Sequence, residues 1–326
     1  MRRSKTLPAF SPQELIEAHK LLASRVATMM GRKFEEGDWS DVYRAAKNLP
    51  SGKWSNLNID IMHAGLGLEH KMLCVRSDRS IKEYCGTSLM HPAATRSIRI
   101  PSTTGDPTAI ARDVLRQYAE LVNQRRRVVA ENTSGTRPDM RVGWLLWQES
   151  LREFLYFEYR MQPPNPENYW AEWKDSGGGA RKTSKNLWVY EVKTDRKRYS
   201  ITTVAGAKIQ PYFDVPGPKD PNLYYFCAQG EQLDGDVIRI WVTSTTALLL
   251  KQIVGSLDNK TVSSSIVEAA ALLSGTTEDE TATHYIKAEV AEPILITREA
   301  YQSLTTAFPG VSDEHRIQLF VRRIAR

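Results

Sequence analysis

Three cysteines in 326 residues (Cys74, Cys85 and Cys227) are too few for a disulfide framework and lack the paired spacing of a zinc site. The expectation is therefore reduced thiols in a cytoplasmic setting. No apolar run reaches membrane-spanning length, so no membrane partner is expected. The start, MRRSKTLPAF, does not continue into the apolar core of a signal peptide and reads as a short basic tail. Gly177-Gly178-Gly179 lies in a basic stretch but lacks the Gly-x-x-x-x-Gly-Lys-Ser/Thr spacing that cradles a nucleotide, so no nucleotide cofactor is expected. Acid is in mild deficit, 38 Asp and Glu against 44 Lys and Arg, for a formal charge of +6. That balance fits a nucleic-acid partner, and it also fits many unrelated proteins.

What is present is a mixture of helical and strand signals long enough for two domains. Ser11-Pro12-Gln13-Glu14 has the form of a capping box with proline at the first helical position. Leu15, Ala18, Leu22, Val26 and Met29 then recur at helical spacing, which predicts a helix of roughly 20 residues. An acidic stretch with Glu35, Glu36, Asp38 and Asp41 follows, leading into a short helix over Ser40 to Lys47 that shields what comes next. Asp106-Pro107 repeats the cap-plus-proline signal. Its helix carries Ile110, Val114, Leu115, Tyr118, Leu121 and Val122 on one face and ends at Arg125-Arg126-Arg127, which reads as a solvated basic end. RVGWLLWQ, Arg141 to Gln148, is a buried strand. The aromatic run from Glu149 to Trp173 reads as core or domain interface, and prolines 163, 164 and 166 mark the connection between domains. Beyond a flexible basic segment, Lys174 to Lys185, strands are expected over 187–193, 198–204, 207–215, 223–229 and 237–242. Helices are expected over 246–254 and 263–273, strands over 282–290 and 294–296, and closing helices over 298–308 and 314–324.

The chemistry-bearing stretch is WSNLNIDIMHAGLGLEHKMLC, Trp54 to Cys74. Asn58 to Met62 is β-prone, His63 to Gly67 holds the turn residues, and Leu68 to Val75 is a second β-prone run, so a hairpin is expected. Glu69 and Lys71, two apart, share one face of a strand, and the hairpin can bring Asp60 beside them. Two carboxylates suit a hard divalent cation, and a neighbouring lysine suits a metal-bound water. The same acid-x-lysine spacing recurs at Glu172-x-Lys174, Glu191-x-Lys193, Asp195-x-Lys197 and Asp258-x-Lys260, so structural context has to choose among them. Glu191 and Lys193, with Asp175 upstream, form the rival site, but a Gly-rich basic linker is a poor setting for a ligand strand.

At Asp60, a spacer, and Glu69-x-Lys71 the chain resembles the PD-(D/E)xK nuclease superfamily, and within it the restriction endonucleases. Ile59 stands where the proline of the name would be. The resemblance implies an α+β (α/β) fold with an αβββαβ core, to which the order helix, strand, strand, helix, strand read above is close. It implies Asp60, Glu69 and Lys71 as the catalytic set, with Asp60 and Glu69 as ligands to Mg2+. Glu17 on the first helix is a further carboxylate that such an enzyme could use, against the reading of an ordinary surface acid. The expected division is a nuclease domain over 1–165 and a β-rich α+β DNA-recognition domain over 166–326, whose last elements permit a winged-helix-like reading. Candidate DNA contacts are His91, Arg96 and Arg99 in the loop past the site, Arg181 and Lys182 in the flexible segment, and Arg196 and Lys197 at a hairpin tip. The expected activity is Mg2+-dependent restriction at a specific double-stranded sequence, by a homodimer because a two-fold target needs two sites. The alternatives are a nuclease that cuts only modified DNA and a non-catalytic DNA-binding protein.

Overall fold

Ser11 opens the first helix through its own side chain. Its Oγ accepts the Glu14 N–H at 3.3 Å, and the Glu14 carboxylate accepts the Ser11 N–H at 2.7 Å. The computed structural model describes residues 6–29, 32–50, 59–92, 98–100, 104–132, 137–176, 184–202, 208–273 and 290–325. In it a short strand β1 (Thr6–Leu7) precedes α1 (Pro12–Ala27), which ends where the Thr28 hydroxyl turns back onto the Ser24 and Arg25 carbonyls. Helix α2 (Glu36–Ala46) starts four residues earlier than expected, because the Asp38 carboxylate accepts the Glu35 N–H and caps the acidic stretch itself. The hairpin follows as β2 (Ile61–His63) and β3 (Leu66–Val75). After it come β4 (Ser88–Met90), α3 (Pro107–Glu131), β5 (Asp139–Gln148) and β6 (Glu153–Arg160).

The second half supplies β7 (Tyr169–Ser176), β8 (Ser184–Glu191), β9 (Lys197–Thr202), β10 (Lys208–Asp214), β11 (Tyr224–Cys227), β12 (Glu231–Gln232) and β13 (Val237–Thr243). Helices α4 (Ser244–Val254) and α5 (Asn259–Leu273), strand β14 (Ala291–Thr297), and helices α6 (Arg298–Ala307) and α7 (Asp313–Ile324) complete it. Strand β7 was not anticipated: its alternating Tyr169, Ala171 and Trp173 face the core beside α3. Of the strand expected over 282–290, all but the last residue lies outside the described residues.

The architecture is mixed α+β with three sheets among the described residues. The first runs β1-β6-β5-β3-β2, with β11 also on β6. Its centre is the parallel pair β3 and β5, and α3 spans the crossover that a parallel connection requires. Trp39, Tyr43, Phe154, Tyr156 and Phe226 fill the core between this sheet and α1 and α2. The second sheet, β4-β10-β9-β8-β7, is antiparallel and sets Leu187, Val189, Ile201 and Ile209 against Ile110, Val114 and Leu115 of α3. Helix α3 therefore serves both sheets. The third, β12-β13-β14, packs with α4 to α7 around Ile240, Leu250, Ile296 and Phe320. Two pairings, β6 with β11 and β4 with β10, join residues on either side of position 165. The chain just past the hairpin thus contributes an edge strand, β4, to the second sheet.

Candidate active site

The hairpin turns through two residues, Ala64 (φ 45°) and Gly65 (φ 86°), both in the left-handed region that a tight two-residue hairpin demands. Register follows from that turn. Ile61 pairs with Leu68, which places Asp60, just before β2, opposite Glu69. The Asp60 N–H donates to the Leu68 carbonyl at 3.0 Å, and the Asp60 carboxylate accepts the His70 N–H at 2.6 Å. Arg44 of α2 donates to the Asp60 carbonyl. The aspartate is thus tied to the second arm of its own hairpin.

Glu69 and Lys71 project from the same face of β3, and the Lys71 Nζ lies 2.6 Å from Glu69 Oε1. The other Glu69 oxygen accepts from Arg125 Nη1 at 2.5 Å. Arg125 had been read as part of a solvated helix end. It is instead 4% exposed, because α3 continues to Glu131 and turns this one arginine of the three toward β3. The signal was present in the periodicity: Arg125 falls three residues after buried Val122 and four before buried Val129, on the inward stripe of the helix.

A third carboxylate comes from α2. Glu36, in the first turn, is exposed as a residue, but its carboxyl sits in the field of Asp60, Glu69 and Lys71. Burial of that carboxyl raises its pKa, the two neighbouring acids add to the rise, and Lys71 offsets it only in part, leaving it at about 7. The helix acid in the field of the pair is therefore Glu36 of α2; Glu17 of α1 is the carboxylate the sequence weighs for that role against an ordinary surface acid. Burial likewise raises the Asp60 pKa, against the pull of the His70 N–H and Lys71. For Lys71 burial works against the charge, but contact with Glu69 and the fields of Glu36 and Asp60 outweigh it and hold its pKa above the ordinary value.

Behind this face, His70 is fully buried among Trp39, Tyr43 and Tyr156, with Nδ1 2.8 Å from the Ser40 hydroxyl of α2. Burial, reinforced by Arg44 and Lys71, pushes its pKa down to about 3, so the ring is neutral. Its register partner on β5 is Gly143, and a Cβ there would run into the Tyr156 hydroxyl and the His70 ring. Glycine at that position leaves room on this face of the sheet for the His70 ring and the Tyr156 hydroxyl.

The remaining candidates divide. His91 is buried, and its Nε2 donates to the Met72 carbonyl at 2.7 Å while its ring meets Trp144 edge-on. It braces β3 and does not present itself at the surface, because β4 carries it under the sheet edge. Arg99 is exposed, with its backbone held by the Gln117 amide. Arg196 is exposed at the β8–β9 turn, and Lys197 lies over the Trp188 ring. Arg96, Arg181 and Lys182 lie outside the described residues. The rival Glu191 is engaged by the Thr194 hydroxyl at 2.5 Å and lies 3.8 Å from Arg198 Nε, at the same turn.

Among the described residues no group of three or more His, Cys, Asp and Glu side chains is arranged to hold a metal ion. The donors that converge are oxygens from Asp60 and Glu69, with Glu36 in their field. Mg2+ commonly takes one or two carboxylates and keeps its remaining waters, and the pKa values of Asp60 and Glu36, raised first by burial, mark carboxyls whose charged forms such a cation would stabilise. The donor chemistry fits. Among the described residues, no helix is long and apolar enough to cross a membrane. No protein-family model, no curated protein and no solved structure matches this chain.

Proposed function

We propose that this chain is a Mg2+-dependent endodeoxyribonuclease of the PD-(D/E)xK type, cutting double-stranded DNA at a specific sequence as a type II restriction endonuclease does. One observation carries the reading: Lys71 touches Glu69 on a strand whose hairpin partner sets Asp60 opposite, and that strand runs parallel to the one that follows α3. Asp60 and Glu69 would hold Mg2+, which lowers the pKa of a bound water and neutralises charge on the scissile phosphate. Lys71 would orient an attacking water and offset the charge that develops on the phosphate. The His70 N–H fixes the Asp60 carboxylate, and Arg125 fixes Glu69 from the other side. The order of the hairpin, α3 and β5 along the chain supports the reading of an αβββαβ core. The third strand of that core has no counterpart in the first sheet among the described residues, since β4 pairs with β10.

In this reading residues 1–165 carry the chemistry and 166–326 recognise DNA. The β13–β14 pair and the helices α4 and α5, joined by a turn at Gly255, are the parts a winged-helix-like reader would use. A homodimer would match the two-fold symmetry of such targets, and the three free cysteines suit a cytoplasmic setting. A second reading has its own observation: both Glu69 oxygens are already taken by cations, as in a purely structural ion cluster, which would leave a non-catalytic DNA-binding protein.

Incubation of the purified chain with Mg2+ and phage DNA, unmodified and base-modified, separates the two. Discrete fragments that vanish with EDTA and in Asp60→Ala are expected. An Asp60→Ala protein that cuts normally removes the site, and absence of cutting on every substrate leaves the binding protein.

A further inference from the structure

The second sheet has one covered face and one that carries aromatic rings. Leu187, Val189 and Ile201 turn toward α3, so the alternate residues of the same strands turn the other way. The pairings set these in cross-strand rows. Trp170 stands opposite Tyr190 and Tyr190 opposite Lys197; Glu172 stands opposite Trp188, and Trp188 opposite Ser200; Lys174, Asn186, Thr202 and Lys208 form a third row. Trp170, Trp188, Tyr190 and Tyr212 are only half-buried.

These rings are held in place. Trp170 and Tyr190 stack at 4.5 Å with 14° between their planes. The Trp170 indole N–H donates to Asp195 at 3.1 Å, and the Tyr190 hydroxyl donates to Glu172 at 2.8 Å. Lys197 Nζ sits 3.2 Å from the Trp188 ring centre and 5.2 Å from that of Tyr212, and Lys174 Nζ lies 5.6 Å from the Trp188 ring centre. The acid on this face, Glu172, is matched by Lys174 at 3.2 Å, which leaves Lys197, Lys208 and the exposed Arg196 as cationic excess, with Asp195 at the turn the opposing charge.

We propose that this face binds single-stranded nucleic acid, with bases stacking on the Trp170–Tyr190 pair and on Trp188 as Lys197 leaves that ring to meet a phosphate. Flat rings on adjacent strands of a sheet whose other face is covered by a helix, interleaved with cations, are what an unpaired strand requires: every base has a π-face and every linkage a negative charge. A sugar ligand would use the rings but not the cations, and an acidic peptide the cations but not the rings. The site is separate from Asp60, Glu69 and Lys71 and does not depend on cleavage.

The test is fluorescence anisotropy in EDTA, with labelled oligothymidylate and oligoadenylate of about twelve nucleotides, and an abasic strand of the same length as the probe for charge alone. Both base-bearing strands are expected to bind, to quench tryptophan emission, and to outcompete the abasic strand. Trp188→Ala and Trp170→Ala are each expected to weaken binding roughly tenfold, and Trp188→Phe to restore most of it. Equal affinity for the abasic strand overturns the proposal with the unaltered protein, whatever the variants do. So do alanine variants that keep the wild-type melting curve and bind normally, absence of strand binding, and binding of a neutral oligosaccharide in place of the strands.

Discussion

Two strands of this protein carry the same three-residue pattern, Glu69-x-Lys71 on β3 and Glu172-x-Lys174 on β7, and both make the ion pair that the spacing allows, at 2.6 and 3.2 Å. Their surroundings differ. The Glu69 side chain is 8% exposed, with a second cation on its other oxygen and two further acids in its field. Glu172 is 36% exposed and answers only to Lys174, the Tyr190 hydroxyl and weaker fields. β3 lies in the middle of a sheet, between β2 and β5, whereas β7 is an edge strand whose outer face is open. Spacing produces the pair. Position in the sheet decides whether it is a site or a surface feature.

The comparison breaks most sharply in activity. Lys71→Met is expected to reduce Mg2+-dependent cleavage by roughly 10²–10⁴-fold with little change in melting temperature, since Glu69 keeps Arg125. Lys260→Ala, in another of the recurring patterns, is expected to cut as the parent does; gel assays of plasmid nicking read both. Stability comes next. Glu69→Ala removes the carboxylate that sits between the buried Arg125 and Lys71 and is expected to cost about 3–5 kcal/mol in urea unfolding, whereas Glu172→Ala shows no resolvable change in midpoint. Equal costs for the two would remove the distinction drawn here.

The pH dependence is smaller. His70 has its folded pKa lowered to about 3 from an ordinary 6.5, so between these values the unfolded chain binds a proton that the folded one does not. Its contribution to stability in metal-free buffer is full above pH 6.5 and declines as pH falls toward 3. His70→Asn is expected to flatten that part of the curve, and an unaltered slope would place the ring elsewhere. The smallest effect is at the hairpin turn. Ala64 holds φ at 45°, which costs an L-residue roughly 1–2 kcal/mol, so Ala64→Gly is expected to be neutral or to stabilise by up to about 1 kcal/mol after the extra backbone entropy of glycine.

Legibility in the sequence followed the range of the interaction. The Ser11–Glu14 box and the Asp106 cap, whose carboxylate accepts the Thr108 and Ala109 N–H groups, were readable because donor and acceptor lie within three residues. The strand over Arg141 to Gln148 was readable from its apolar run. Strand β7 was not, because its first residues close an aromatic run that reads only as core or interface and its last fall in the glycine-rich basic segment, and it took α3 to give Ala171 and Trp173 a surface. Arg125 was missed because it sits in a run of three arginines, only one of which the helix turns inward. Glu36 was noticed only as part of an acidic stretch, and Asp38, whose carboxylate accepts the Glu35 N–H, brought it onto α2.

By itself the sequence determined the local features: where helices begin, which residues alternate, and that Glu69 and Lys71 must share a face two positions apart on a strand. The tertiary structure alone decided which of five acid-x-lysine patterns lies buried beside other acids, that an arginine 56 positions away closes on Glu69, and that one sheet keeps an aromatic face open. The physical reason is that spacing sets direction within a few residues, whereas burial and electric field depend on what the rest of the chain brings alongside.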